Sequence, residues 1–170
     1  MIDEIDLQII GILQDNGRIP AAEVARRVGM APSAVFERIR KLEDRGVVRS
    51  YSANIDPSAV GMSLLAFVFV NVQEEVGSDE PGHQLASIPG VQEVHHVAGE
   101  DSYLVKVRAK DPEALGRLLR EQFGKIKQLR STRTTIVLET LKHSSSLPFV
   151  VPGNHGPGGN HTLPPADGKR

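Results

Sequence analysis

An α+β chain made of two unlike halves is what this sequence predicts, and three observations carry the prediction. Residues 1 to about 46 show only helical apolar spacing, in three segments separated by short punctuation. From Leu64 the spacing changes to strand-like alternation, and strands and helices then follow in the order β-α-β-β-α-β. Beyond Leu147 the chain turns rich in turn-formers, with five prolines and five glycines between Pro148 and Arg170. A length of 170 residues accommodates two small domains and a tail.

The first half is built in order. Asp3 can cap a helix in which Ile5, Ile9, Ile12 and Leu13 line one side, and Asn16-Gly17 ends it. A short second helix is expected over Pro20–Val28, with Val24 and Val28 inward, and Gly29-Met30-Ala31 turns tightly into a third. In that third helix Pro32 suits the first position, where its missing N–H costs nothing, and Gly46 suits the left-handed residue past the end. Val35, Ile39 and Leu42 recur at i, i+4 and i+7 as the packing stripe, which leaves Ser33, Ala34, Glu37, Arg38 and Lys41 on the other side. Two short helices joined in this way form a helix-turn-helix. Val47–Ile55 is rich in β-formers and predicts the strand or wing that follows such a core, so residues 1–55 read as a winged helix-turn-helix domain.

Charge points to the partner of this domain. From Arg26 to Arg49, seven basic residues (Arg26, Arg27, Arg38, Arg40, Lys41, Arg45 and Arg49) stand against three acidic ones, a local balance of +4 in a chain of formal net charge −1. A basic helix face is often only a solvated surface; the three-helix order and the turn are what make double-stranded DNA the expected partner. Ser33, Glu37, Arg38 and Lys41, with Ala34 on the same face, are expected at base edges in the major groove, and Arg26, Arg27, Arg40 and Arg45 at phosphates. A dimer would then prefer an imperfect palindrome with half-sites one helical turn, ~10 bp, or a multiple apart.

Residues 56–63, opening with Asp56-Pro57 and holding Gly61, form a linker to the second domain, residues 64–143. Leu64–Val72 is apolar in both of its alternating rows, and leaving either row in water forfeits ~1.5–3 kcal/mol per large side chain. Helices are expected near Glu80–Ile88 and Pro112–Phe123, and further strands near Val91–Val97, Tyr103–Arg108 and Thr132–Glu139. This is the ferredoxin-like order, and an echo between Ser87–Val94 and Lys125–Thr132 marks its two halves as pseudo-repeats. Both helices then lie on one face of a four-stranded sheet. The other face needs a cover, and the same face of a second copy is the simplest one, so a homo-oligomer is expected.

A candidate small-molecule site lies at one end of that sheet. In Gly99-Glu100-Asp101-Ser102-Tyr103, glycine lets backbone N–H groups approach a bound carboxylate, and Glu100 or Asp101 could pair with an α-ammonium. Thr132 and Thr134, two apart on the last strand, would present hydroxyls on one face. Such groups suit an amino-acid head group.

Other chemistry finds little footing. With no cysteine there is neither a disulfide nor a thiolate site. His95 and His96 are adjacent in a strand and point to opposite faces, so no metal is expected. No catalytic triad, phosphate loop or paired carboxylates stand out; no catalytic residue and no cofactor are expected. The longest apolar run, Leu64–Val70, is far short of the ~20 residues of a membrane helix, and Met1–Asp6 resembles no signal segment, so the cytoplasm is the expected location. Residues 144–170 are expected to be a disordered tail.

From Ile2 to about Lys142 the chain resembles the leucine-responsive/asparagine (Lrp/AsnC, feast/famine) transcription regulators. The resemblance rests on Asp3–Asp6, Asn16-Gly17-Arg18, Ala25–Gly29, Val35 with Arg38-Ile39 and Leu42-Glu43, Gly46–Val48 and Asp56–Gly61. It continues through Pro89-Gly90-Val91, Val97-Ala98-Gly99, Tyr103-Leu104, Thr132, Thr134 and Ile136–Leu138. It implies a DNA-binding domain joined to a sensing domain that dimerises through its sheet, often assembles into octamers, and binds amino acids or related effectors at inter-subunit clefts. The chain departs from the family pattern at Ser102, at Lys127-Gln128 and at Ala31, where Asp, Pro-Gly and a Ser cap are common. Tetrapyrrole (sirohaem) decarboxylases resemble the same architecture and are the alternative; there His95 or His96 with nearby basic residues would act on substrate carboxylates. An intact basic reading helix is what such an enzyme would not need.

Overall fold

The structure, a computed structural model, describes residues 1–73 and 79–150. It divides into two compact units, Met1–Ala53 with residues 144–150, and Asn54–His143.

The first unit holds α1 (Glu4–Asp15), α2 (Ala21–Val28) and α3 (Pro32–Asp44). Asp3 caps α1 as expected and forms a full capping box: its carboxylate accepts the Asp6 N–H at 2.8 Å while its own N–H donates to the Asp6 carboxylate. Ile9, Val24, Ala25, Val35 and Leu42 form the core of the unit. Gly29 ends α2 at φ 68°, a left-handed residue that swings the chain directly into α3. Past α3, Gly46 is again left-handed, and the N–H groups of Val47 and Val48 return to the Leu42 carbonyl. The strand expected over residues 47–55 does not form among the described residues, because this segment meets no second strand to ladder with. Val48 packs on the core instead, and the Tyr51 hydroxyl donates to the Glu43 carboxylate at 2.9 Å.

The chain from residue 144, expected to be a disordered tail, carries no helix or strand as far as Val150 and is exposed over most of that length. The Leu147 N–H donates to Gln14 Oε1 at 2.7 Å and the Gln14 amide donates back to the Leu147 carbonyl at 3.3 Å, so the tail begins docked on α1. The rest of that expectation, beyond Val150, lies outside the described residues.

The second unit is a four-stranded sheet of β1 (Leu64–Val72), β2 (Val91–His96), β3 (Tyr103–Ala109) and β4 (Leu129–Ile136), in the order β2-β3-β1-β4 with every pairing antiparallel. The helices α4 (Glu80–Ala86) and α5 (Pro112–Glu121) supply Leu85 and Leu115 to a core shared with Val68, Val70, Val105, Val107 and Phe123. The strand order is the ferredoxin-like one predicted. β4 starts three residues before the expected Thr132, and the internal echo explains why. Ile88 and Ile126 are both buried, and each accepts a hydrogen bond from the first residue of the following strand, Val91 or Leu129, at 3.1 Å. The two half-repeats thus enter their strands through the same short turn. Register places Leu65, Phe67, Phe69, Leu104, Lys106 and Arg108 together on the face away from that core.

Candidate functional site

The outward side of α3 is defined by what its inward side must bury. Val35 and Leu42 are fully enclosed and Ile39 packs beside them, so Ser33, Phe36, Glu37, Arg40 and Lys41 project away from the core. Four of these were expected at the DNA, divided between bases and phosphates; Phe36, 59% exposed, was not singled out by sequence. Arg45 follows at the helix end and is also exposed. Ala34 is half-buried, on the flank of a depression of about 500 Å³ that Asp6 and Arg38 also line.

Arg38 does not join the outward set. Its Nη1 donates to Asp3 Oδ2 and to Asp6 Oδ1, each at 2.7 Å, and its side chain is only 29% exposed. Asp6, at 8% exposure, is the one buried charged residue among the described residues. Hydrogen bonds from the Asp6 backbone and the Arg38 guanidinium hold the Asp3 carboxyl below the usual carboxylate range, and the two carboxylates raise Arg38 in turn. The arrangement ties the start of α1 to the middle of α3. The sequence places Arg38 only at the edge of the packing stripe, i+3 from Val35 and i−4 from Leu42, and does not fix which way it leans.

Arg26 and Arg27, on the last turn of α2, both project into solvent but share one counter-ion. Arg26 reaches Glu23 through two hydrogen bonds of 2.8 and 2.6 Å, and Arg27 through one of 3.1 Å. These bonds, Arg26's first, hold the Glu23 carboxyl down at about 2. A phosphate at this position would therefore compete with Glu23 for the arginines.

In the second unit the loop from Gly99 to Ser102 joins β2 to β3. Ser102 is architectural: its N–H donates to the Val70 carbonyl at 2.9 Å, and its hydroxyl lies 3.4 Å from the Val72 N–H. Asn71 donates to the Glu100 carbonyl at 2.6 Å, which leaves the Glu100 side chain exposed at the loop tip. Tyr103 is buried in the core with the His96 ring stacked on it, centroids 5.0 Å apart. Asp101 accepts from Arg133 Nη2 at 3.1 Å, and the Arg133 guanidinium lies 3.9 Å over the Phe69 ring, on the face away from the helices. Thr132 and Thr134 pair with Val70 and Val68, on the helix-side face, and both are exposed. One chain therefore brings Asp101 and the two threonines to opposite faces of the sheet rather than into one cluster.

Two family models match the chain: winged helix-turn-helix DNA-binding over residues 2–49, and the Lrp/AsnC ligand binding domain over residues 65–147. The HTH-type transcriptional regulator FL11 of Pyrococcus horikoshii is 42% identical over 148 residues, spanning 87% of this chain and 97% of that protein. The chain belongs to the Lrp/AsnC family. The leucine-responsive regulatory protein of Escherichia coli is 35% identical to this Lrp/AsnC chain over 150 residues, 86% of the chain and 90% of the relative. Among solved structures, a transcriptional regulator from Neisseria meningitidis in complex with L-Met superposes with a TM-score of 0.81 at 30% identity, covering 87% of this chain and 97% of that one. A feast or famine regulatory protein from M. tuberculosis, complexed with L-methionine, gives 0.80 at 38% identity, covering 86% and 99%. The Lrp/AsnC family is one of transcription regulators, not of enzymes. His95 lies 3.3 Å from Glu93, on the face away from the helices, and His96 stacks on Tyr103 on the other, so one chain holds the two imidazoles on opposite faces of the sheet.

Proposed function

We propose that this chain is an operator-binding transcription regulator that reads the major groove with the outward side of α3. An amino acid or related small molecule, bound by the second unit of a homo-oligomer, tunes its affinity for DNA. The observation that carries the reading is the helix-turn-helix whose α3 turns Ser33, Glu37, Arg40 and Lys41 outward, in a chain whose other half is the Lrp/AsnC ligand-binding domain. Ser33, Glu37 and Lys41 face base edges, while Arg26, Arg27, Arg40 and Arg45 hold phosphates. Two observations support assembly. Among the described residues, no helix lies on the sheet face carrying Leu65, Phe67, Phe69 and Leu104, and the buried Arg108 Nε finds no acceptor. A second copy on this face covers the aromatic rings and offers acceptors to Arg108; dimers can assemble further, to octamers. The effector site follows from the split of its groups: Gly99–Tyr103, with Glu100 and Asp101, and Thr132 with Thr134 are completed between chains, since one chain holds them on opposite faces. The regulator works in the cytoplasm, beside its DNA.

The test is selection of bound sequences from a random duplex library, followed by calorimetry with the twenty amino acids. Selection should yield a palindrome. Glu37→Ala should alter the selected sequence, whereas Arg26→Ala should weaken binding to every duplex alike and flatten its salt dependence. An effector should shift operator affinity by ~1–3 kcal/mol, the usual size of a coupling between sites. Asp101→Ala or Thr134→Val should weaken the amino acid that binds; if neither does, the effector sits elsewhere.

A further inference from the structure

We infer that Phe36 is a specificity-determining residue that packs against the 5-methyl group of thymine in the major groove, a role that rests on α3 entering that groove. The side chain is 59% exposed although the core of its unit is already closed by Ile9, Val24, Val35 and Leu42. The ring therefore lies outside that core, with more than half of its surface open. Isolated exposed apolar residues are common, and exposure alone assigns nothing. Position and neighbours do. Phe36 lies in the N-terminal half of α3, the part of a recognition helix that meets base edges, one turn from Ser33 and one turn from Arg40. Both neighbours are exposed on the outward side. On the other flank Ala34 and Arg38 are half-buried in a depression that the exposed Glu37 and Lys41 also line, and the Arg38 guanidinium is occupied by two carboxylates. The projecting surface of the helix thus runs from Phe36 through Ser33 and Arg40 to Glu37 and Lys41.

Within that surface Phe36 is the only large apolar side chain, set among charges that favour a polyanion over an apolar protein partner. The major groove offers one apolar group, the thymine C5-methyl, beside donors and acceptors that suit Ser33, Glu37 and Lys41. An aromatic ring on a methyl group removes both from water, and the match predicts a preference for A·T at one position of each half-site.

The experiment removes that methyl group and nothing else. The full chain selects its site from a random duplex library, and each dT of the selected duplex is then replaced singly by dU. Wild type should lose about fourfold in affinity at one thymine per half-site, the effect of one buried carbon. Phe36→Ala should bind the dT duplex weaker by a similar factor and bind dT and dU alike at that position, with an unchanged far-ultraviolet dichroism spectrum. Phe36→Leu should keep part of the discrimination. An undiminished dT/dU ratio in Phe36→Ala overturns the inference, as does a wild type indifferent to every methyl group, or a Phe36→Ala chain that changes only its oligomeric state. Glu37→Ala separates this failure from that of the underlying reading. If α3 is not in the groove, Glu37→Ala selects the wild-type site; if α3 reads bases without Phe36, the Glu37→Ala site changes while the Phe36→Ala ratio does not.

Discussion

The Arg38 guanidinium is held between Asp3 and Asp6, and its loss would leave a carboxylate stranded in the core of the helical unit. Hydrogen bonds to charged groups contribute ~1.5–3 kcal/mol, so Arg38→Ala and Asp6→Asn should each destabilise the chain by about 2 kcal/mol in denaturant unfolding. The double variant should cost well under the sum, since both changes remove one interaction. DNA binding separates this role from a phosphate contact: Arg38→Ala should leave the salt slope of binding unchanged, whereas Arg26→Ala should reduce it by about 1. A reduced slope for Arg38→Ala would put the guanidinium on the DNA. At this scale sequence reasoning located the surface but not the direction of every side chain on it. Spacing at 3.6 residues per turn fixes where a Cα lies, and Arg38, at the stripe's edge, can lean either way. Two carboxylates 32 and 35 positions away decide the matter, and no local pattern reports them. Asp101 repeats the lesson, since its partner Arg133 lies across the sheet on another strand.

Elements bounded by strong punctuation were legible almost to the residue. β1 runs over Leu64–Val72 as its apolar run requires, and Asp3 and Pro32 mark the starts of α1 and α3. Of the strand or wing expected over residues 47–55, the segment takes no strand form, because β-propensity describes residues that fit a sheet, and no neighbouring strand among the described residues supplies one. Gly29 carries the turn between α2 and α3 at φ 68°, with nothing within 4 Å of where a Cβ would stand. Gly29→Ala should therefore cost only the left-handed conformation, ~1 kcal/mol, and Gly29→Asn less, measured as a shift in thermal midpoint. A cost several times larger would show a clash the open space denies. Across β2 and β3, Lys106 donates to Glu93 at 2.7 Å, and this bond above all holds the Glu93 carboxyl below its ordinary 4.5. A depressed folded value means that the unfolded chain binds the proton more readily, so the pair stabilises above pH 4.5 and loses its contribution as pH falls through the folded value. Glu93→Gln should accordingly be less stable than wild type by at most ~1 kcal/mol at neutral pH, the limit for an exposed pair. The gap should close on acidification below 4.5; a gap that widened would reverse the sign.

At the scale of the molecule, two separate cores account for the split that the change of apolar period had announced. One is closed by Ile9, Val24, Val35 and Leu42, the other by residues from all four strands, α4 and α5. A unit with its own core should fold when cut free, and the sheet unit should then reveal what its uncovered face does. That face holds Leu65, Phe67 and Phe69 from β1 beside Leu104 from β3, and Asn54–Pro57 and Val137–His143 border a depression of about 890 Å³ on it, lined also by Lys106 and Arg108. Leu65 is already buried within one chain while Phe67, Phe69 and Leu104 are half-buried, so enclosing these three in each of two copies adds part of the ~1.5–3 kcal/mol of a fully exposed side chain, set against the loss of freedom on association. A fragment of residues 54–143 should accordingly sediment as a dimer at micromolar concentration. Arg108→Ala should weaken that dimer if the buried Nε donates across it, because the acceptor opposite would lose its only partner. Phe67→Asp, which places a charge in the middle of the face, should yield monomers with native dichroism. A wild-type fragment that is folded and monomeric at that concentration would mean that the apolar rows of β1 are satisfied within one chain, and the assembly proposed for this regulator would have to use another surface.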